Sequence, residues 1–105
     1  MDIRSIADYY GYESQSRQLI EEMGELTSAI NHHWRKDLAC GEKAFDPHRT
    51  SKELNHVIEE IADVELCLRQ LIYLLKCDHR VDLFMEAKVK RQMDRMVNQP
   101  CNVRA

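Results

Sequence analysis

Glycine and proline are scarce in this 105-residue chain, three and two residues respectively, which leaves too little turn material for an all-β fold. An all-α fold is the expectation. No apolar run approaches the roughly 18 residues that a membrane span requires, and the amino-terminal "MDIRSIADYY" lacks the basic-then-apolar plan of a secretory signal. The expected location is the cytoplasm, away from membranes. Cysteine is present but unpatterned. Cys40, Cys67, Cys77 and Cys101 form no C-x-x-C, so neither a zinc site nor a redox pair is indicated, and a disulfide framework would be out of place in a reducing compartment. Cys67 and Cys77 read as small helix-face residues. A basic excess is missing too: 15 Lys and Arg stand against 18 Asp and Glu, for a formal charge of -3. That balance lacks the electrostatic footprint of a nucleic-acid binder.

What is there is 44% hydrophobic and 31% charged, the proportions of a folded domain. The length is that of one domain, residues 1–105. Chains this short bury a core that only narrowly outweighs chain entropy, so self-association would add stability.

Residues 2–10 predict a short helix capped by Asp2, with Ile3, Ile6, Ala7 and Tyr10 on one face and Gly11 at its end. A long helix follows from about Ser14 to Arg35, with Leu19, Met23, Leu26 and Ile30 as its apolar stripe. The stretch 36–49, holding Gly41 and Pro47, reads as a loop. "TSKE" (50–53) is a capping box, Thr50 capping and Glu53 reaching back, that opens a helix to about Lys76. Beyond Asp78, a possible cap, Val81, Phe84 and Met85 begin a last helix to about Val97. The folded core is expected over about 11–97, with 98–105 a frayed tail.

Acidic residues interrupt the apolar stripes of both long helices. At about 100° per residue, Glu22 falls about 60° from the centre of the Leu19–Met23–Leu26–Ile30 stripe, with Glu25 about another 60° round and Glu21 farther toward solvent. The inward pair is Glu22 and Glu25. On the second helix the apolar face takes in Val57, Ile61, Val64, Cys67, Leu68, Leu71 and Leu75. Glu60 lies within its span, Asp63 at its edge, and Glu59 points away. Packing the helices together would gather four carboxylates, a costly arrangement unless protons, cationic side chains or a bound cation offset it. Oxygen-only ligands suit a hard ion. Mg²⁺, which prefers few carboxylates, retained waters and phosphate oxygens, is the expected cofactor, with Mn²⁺ as an alternative. On the last helix Lys88, Arg91 and Arg95 recur at i, i+3 and i+7 beside the Val81–Phe84–Met85 face. Such cations can grip phosphate oxygens, or form a solvated face with ion pairs to Asp94 and Glu86.

These residues carry a resemblance. "EEMGEL" (21–26) followed by "EEIADV" (59–64) resembles the E-E-x-x-E … E-x-x-D pattern of the MazG-like, all-α NTP pyrophosphohydrolase superfamily. "GYESQSRQLIEEMGELTSAI" and "KVKRQMDRM" are similar to the opening helix and the K-x-x-R-x-x-x-R closing helix of its small single-domain bacterial and phage-like members. The similarity spans most of residues 11–96. It implies a helical bundle completed by oligomerisation as a homodimer or homotetramer. It also implies Mg²⁺-dependent cleavage of ribo- or deoxyribonucleoside triphosphates into monophosphate and pyrophosphate, in nucleotide-pool house-cleaning. Glu22, Glu25, Glu60 and Asp63 would be the metal ligands, Glu21 an accessory catalytic acid, and Lys88, Arg91 and Arg95 the phosphate-binding residues. Two departures stand out. Glu25 and Glu60 are farther apart than is usual in the family, the excess lying in the 36–49 loop. Gly24 costs roughly 1 kcal/mol inside a helix relative to Ala, and either admits a neighbour closely or is merely tolerated.

Trp34 offers a face on which a nucleobase could stack, or a surface for another subunit. Glu53 and His56 form one E-x-x-H, and a ferritin-like di-iron site needs two. The rival to an enzyme is a non-catalytic helical module that binds a nucleotide or metal, or fixes how subunits assemble.

Overall fold

A computed structural model of the chain describes residues 2–38 and 51–98. Their regular structure is entirely helical, with no strand among them: α1 (Ile3–His33), a π-helical turn (Trp34–Leu38), α2 (Lys52–Leu75) and α3 (Asp78–Asn98). None of these helices is long and apolar enough to cross a membrane. The chain divides into two compact units, Met1–Leu75 and Lys76–Ala105.

The local signals explain the helix ends. Asp2 caps α1, its side chain accepting from the Ser5 amide at 2.9 Å. Gly11, at φ 83°, breaks the helical conformation inside α1 and separates the short first segment from the long second one. The long segment resumes directly after it rather than near Ser14. The expected cap Thr50 lies outside the described residues. Ser51 fills the role, its Oγ accepting from the Leu54 amide at 2.9 Å, so the helix opens one residue later. α2 ends at Leu75, where Lys76 turns into the left-handed region at φ 52°. α3 begins at Asp78, its Val81 amide donating to the Cys77 carbonyl at 2.9 Å. Of the expected 36–49 loop, 36–38 belong to the π-helical turn and the rest lies outside the described residues, as does the tail from 99.

In the first unit α1 and α2 pack antiparallel. Tyr73 Oη donates to both Asp8 oxygens at 3.0 and 2.9 Å, and Gln15 Nε2 donates to Gln70 Oε1 at 2.8 Å. The buried or half-buried seam of α1 runs Gln15, Leu19, Glu22, Leu26, Ala29, His33, and that of α2 runs Val57, Glu60, Val64, Cys67, Leu71. Alternating steps of four and three mark a narrow, coiled-coil-like seam. The expected α1 stripe is therefore displaced. Met23 and Ile30 are 45% and 40% exposed, and Ile61, Leu68 and Leu75 of α2 are exposed as well, because two helices cover only part of each apolar band.

Helical geometry sorts what flanks the seam. At about 100° per residue, Ile20, Met23, Ile30 and Trp34 fall roughly 50–150° to one side of the α1 seam, and Ile58, Ile61, Leu68 and Leu75 fall likewise on α2. Gln18, Glu21 and Glu25 fall on the other side of α1, and His56, Glu59 and Asp63 on the other side of α2. Because the helices are antiparallel, equal rotations place both apolar flanks on one side of the pair and both acidic flanks on the other.

α3, described by itself, has no buried residue. Val81 is half-buried, but Phe84 and Met85 are exposed, so the expected core face of this helix is not a covered one.

The two described glycines make opposite demands. A Cβ at either would meet nothing within 4 Å, so only backbone conformation distinguishes them. Gly24→Ala should add roughly 0.5–1 kcal/mol of stability and raise the melting temperature, whereas Gly11→Ala at positive φ should remove about 1 kcal/mol and lower it. Thermal unfolding of both variants checks the pair, and destabilisation by Gly24→Ala would mean that a second surface approaches position 24.

Candidate metal centre

The seam carries acid where a two-helix core would ordinarily carry hydrocarbon. Glu22 sits on the seam itself, half-buried, rather than about 60° from the covered line. Glu60 faces it from α2 and is only 8% exposed. Glu25, expected as the second inward acid of α1, is instead exposed, because the seam turns toward it only far enough to centre near Glu22, which leaves Glu25 about 80° round on the acidic flank. Its carboxylate still reaches the others. One oxygen from each of Glu22, Glu25 and Glu60 lies within 4.8 Å of the other two, a grouping able to hold a metal ion.

Asp63 and Glu21 are both exposed and outside that close group. Both add to its field. Repulsion from Glu22, then from Glu60, pushes the Glu25 carboxyl above its ordinary range, with slight desolvation, Asp63 and Glu21 adding to the shift. Burial, then the charges of Glu22 and Asp63, pushes the Cys67 thiol up. A thiol held protonated is a poor ligand, so the donor set remains one of hard oxygens, suited to Mg²⁺ or Mn²⁺.

Two oxygens make the case for a cation specific. Glu22 Oε1 and Glu60 Oε1 are buried and have no hydrogen-bond partner. An orphaned buried carboxylate oxygen is costly, and these belong to the two acids that meet across the seam. Their other oxygens are engaged. Gln18 Nε2 donates to Glu22 Oε2 at 2.8 Å, and His56 Nε2 lies 3.2 Å from Glu60 Oε2.

Neither Gln18 nor His56 stands out to a reading of hydrophobic periodicity, although each precedes its acid by four residues, a helical neighbour spacing. The buried Gln15–Gln70 pair was equally hidden. Of the remaining expected residues, Trp34 is 56% exposed in the π-helical turn and lies on the apolar flank of α1, opposite Glu25. Lys88, Arg91 and Arg95 are exposed on α3. Asp94, a potential partner for them, pairs with Lys90 at 3.3 Å instead. Glu53, of the lone E-x-x-H, lies in the first turn of α2, where an acid favours the helix.

No family model matches the chain, and no curated protein or solved structure matches it either. The site therefore rests on its own geometry.

The raised proton affinity of Glu25 sets the sign of a pH effect. The folded state binds this proton more tightly than the unfolded state, whose reference value is 4.5, so the Glu25 contribution to stability falls as pH rises through 4.5 toward the folded value. In EDTA at neutral pH, Glu25→Gln should therefore melt at a higher temperature than the parent, and the difference should vanish as pH is lowered below about 4, where both side chains are neutral. A lower melting temperature for the variant at neutral pH would show that repulsion does not govern this position.

Proposed function

We propose that this protein is a Mg²⁺-dependent nucleoside triphosphate pyrophosphohydrolase, accepting Mn²⁺ in place of Mg²⁺ and acting on ribo- or deoxyribonucleotides in cytoplasmic nucleotide-pool house-cleaning. The observation that carries this reading is the meeting of Glu22, Glu25 and Glu60 across α1 and α2, with buried, unpartnered oxygens on Glu22 and Glu60. The MazG-like sequence pattern points to the same acids and adds Asp63, which lies beside them on the acidic flank. These four side chains would hold the ion, and Glu21 would serve as an accessory acid. A divalent ion bound there would neutralise charge on phosphate oxygens and lower the pKa of water.

In the reaction, the oxygen of water bonds to the α-phosphorus, the bond from that phosphorus to the bridging oxygen breaks, and pyrophosphate leaves with that oxygen. The water's protons pass to solvent through a neighbouring base. The chain's own task is to orient and to neutralise. Lys88, Arg91 and Arg95, exposed and spaced along one face of α3, would grip the triphosphate. Trp34 would stack on the base only if the nucleotide reached the apolar flank, so contact with another subunit is the better-supported role.

Assembly belongs to this reading. In this reading residues 1–105 form a single domain, and the exposed flank of Ile20, Met23, Ile30, Ile58, Ile61, Leu68 and Leu75 supports completion of its MazG-like bundle by a second copy, in a homodimer or homotetramer. The same flank supports a second reading, a non-catalytic helical module that binds metal or nucleotide and organises subunits.

A panel of nucleoside triphosphates with Mg²⁺ separates the two. Pyrophosphate and monophosphate should appear, stop with EDTA, and be lost in Glu60→Gln with helicity retained, since the change removes one charge and preserves shape. Tight binding of nucleotide without any product would favour the module, and full activity in Glu60→Gln would remove Glu60 from the site.

A further inference from the structure

The two acids that meet across the seam are held in the same way from opposite helices. Gln18, four residues before Glu22 on α1, donates to Glu22 Oε2 at 2.8 Å. His56, four residues before Glu60 on α2, places Nε2 3.2 Å from Glu60 Oε2 and donates when that nitrogen carries its proton. In each acid the remaining oxygen, Oε1, is buried without a partner. Glu25, the exposed member of the group, has no such donor among the described residues.

We propose that Gln18 and His56 are positioning residues of the carboxylate cluster: each fixes one oxygen of its acid and so presents the other to a divalent cation. The inference rests on the cation site proposed above and extends it to two residues outside the acidic pattern. Side-chain pairs four apart are common on helices and individually weak, so one alone would signify little. Here both fall on the acids of the seam, and both leave a buried oxygen orphaned.

The physical gain is twofold. The terminal torsion of Glu is broad, and anchoring one oxygen fixes the plane of the carboxylate. Each donor also occupies the oxygen it holds, so the acid enters the cluster through Oε1 alone. Amide and imidazole N–H groups can do this without a fixed full charge. Lys or Arg in their place would be a permanent counter-ion competing with the metal.

The test is titration of metal-free, full-length protein with Mn²⁺ alone, following free Mn²⁺ by electron paramagnetic resonance. Gln18→Met and His56→Leu should each weaken binding about 10-fold, within the 10–100-fold range typical of groups that orient metal ligands, and His56→Gln should recover most of the loss. Circular dichroism and thermal unfolding check that each variant folds; Gln18→Asn, which withdraws the donor but keeps the amide, replaces Gln18→Met if that variant does not fold, and His56→Ala likewise replaces His56→Leu. Wild-type affinity in the folded donor-free variants would overturn the positioning role and leave the cation site standing. Absence of Mn²⁺ binding by the wild-type protein would overturn the cation site and the positioning role together.

Discussion

The register of α1 against α2 is the constraint on which everything else in the first unit depends. The apolar side chains of the seam, among them Leu19, Ala29, Val57 and Cys67, are small and similar, and hydrophobic contact has no direction. They would tolerate sliding. Gln15 and Gln70 would not: Gln70 is 2% exposed, and a slip would strand two amides at a cost of about 1–3 kcal/mol each. One heptad of slip, roughly 10 Å at 1.5 Å per residue, would also part Tyr73 from Asp8 and Glu22 from Glu60. Polar groups at a seam trade stability for a specified register, and this register is the one that brings the acids together.

Glu22 follows Gln15 by seven positions on α1, so a paired polar layer lies one heptad from an acidic one with two orphaned oxygens. The first stabilises the pair of helices and the second works against it. Such an arrangement would be an error in a purely structural hairpin, where Glu22 and Glu60 could be leucines and the seam would be stronger. The Gln15 and Tyr73 ties hold the helices at the distance and phase that the acids, left alone, would oppose. Local rules broken at one place and compensated at the next are what a functional site looks like in an otherwise consistent fold.

Much of this was legible in the sequence, and the failures have a common cause. Asp2, Gly11 and the start of the last helix announce themselves through caps and breakers, which act locally. Glu60 could be read as inward because apolar residues surround it on every turn of α2. On α1 the apolar band is wider than the strip a single partner can cover, and periodicity locates the band without saying which edge is used. The structure covers the edge carrying Gln15, Ala29 and His33, residues that no hydrophobicity argument selects, and leaves Met23 and Ile30 outside. That rotation of the seam brought Glu22 close to the centre line and left Glu25, though nearer to it than expected, on the acidic flank. Gln18 was missed, and His56 was weighed only with Glu53 and not with Glu60, because a polar pair four residues apart looks like ordinary helix surface until its acid is seen to be buried.

The same rotation gives the hairpin two different sides. An apolar flank and an acidic flank lie about equally far from the seam, in opposite directions, on both helices. A partner surface that covered the apolar flank would exclude water there without screening Glu25 or Asp63. A cation on the acidic flank would relieve repulsion without touching Ile61 or Leu68. Only the seam residues Glu22 and Glu60 belong to neither side, being reached from the acidic flank yet held by the helix contact that assembly would reinforce. Tightening that contact would restrict the escape of the two acids toward water, raise the cost of leaving their charge uncompensated, and so favour a bound cation. If the protein assembles and binds a cation as proposed, the two events would be coupled through the geometry of one seam, with no residue common to both surfaces.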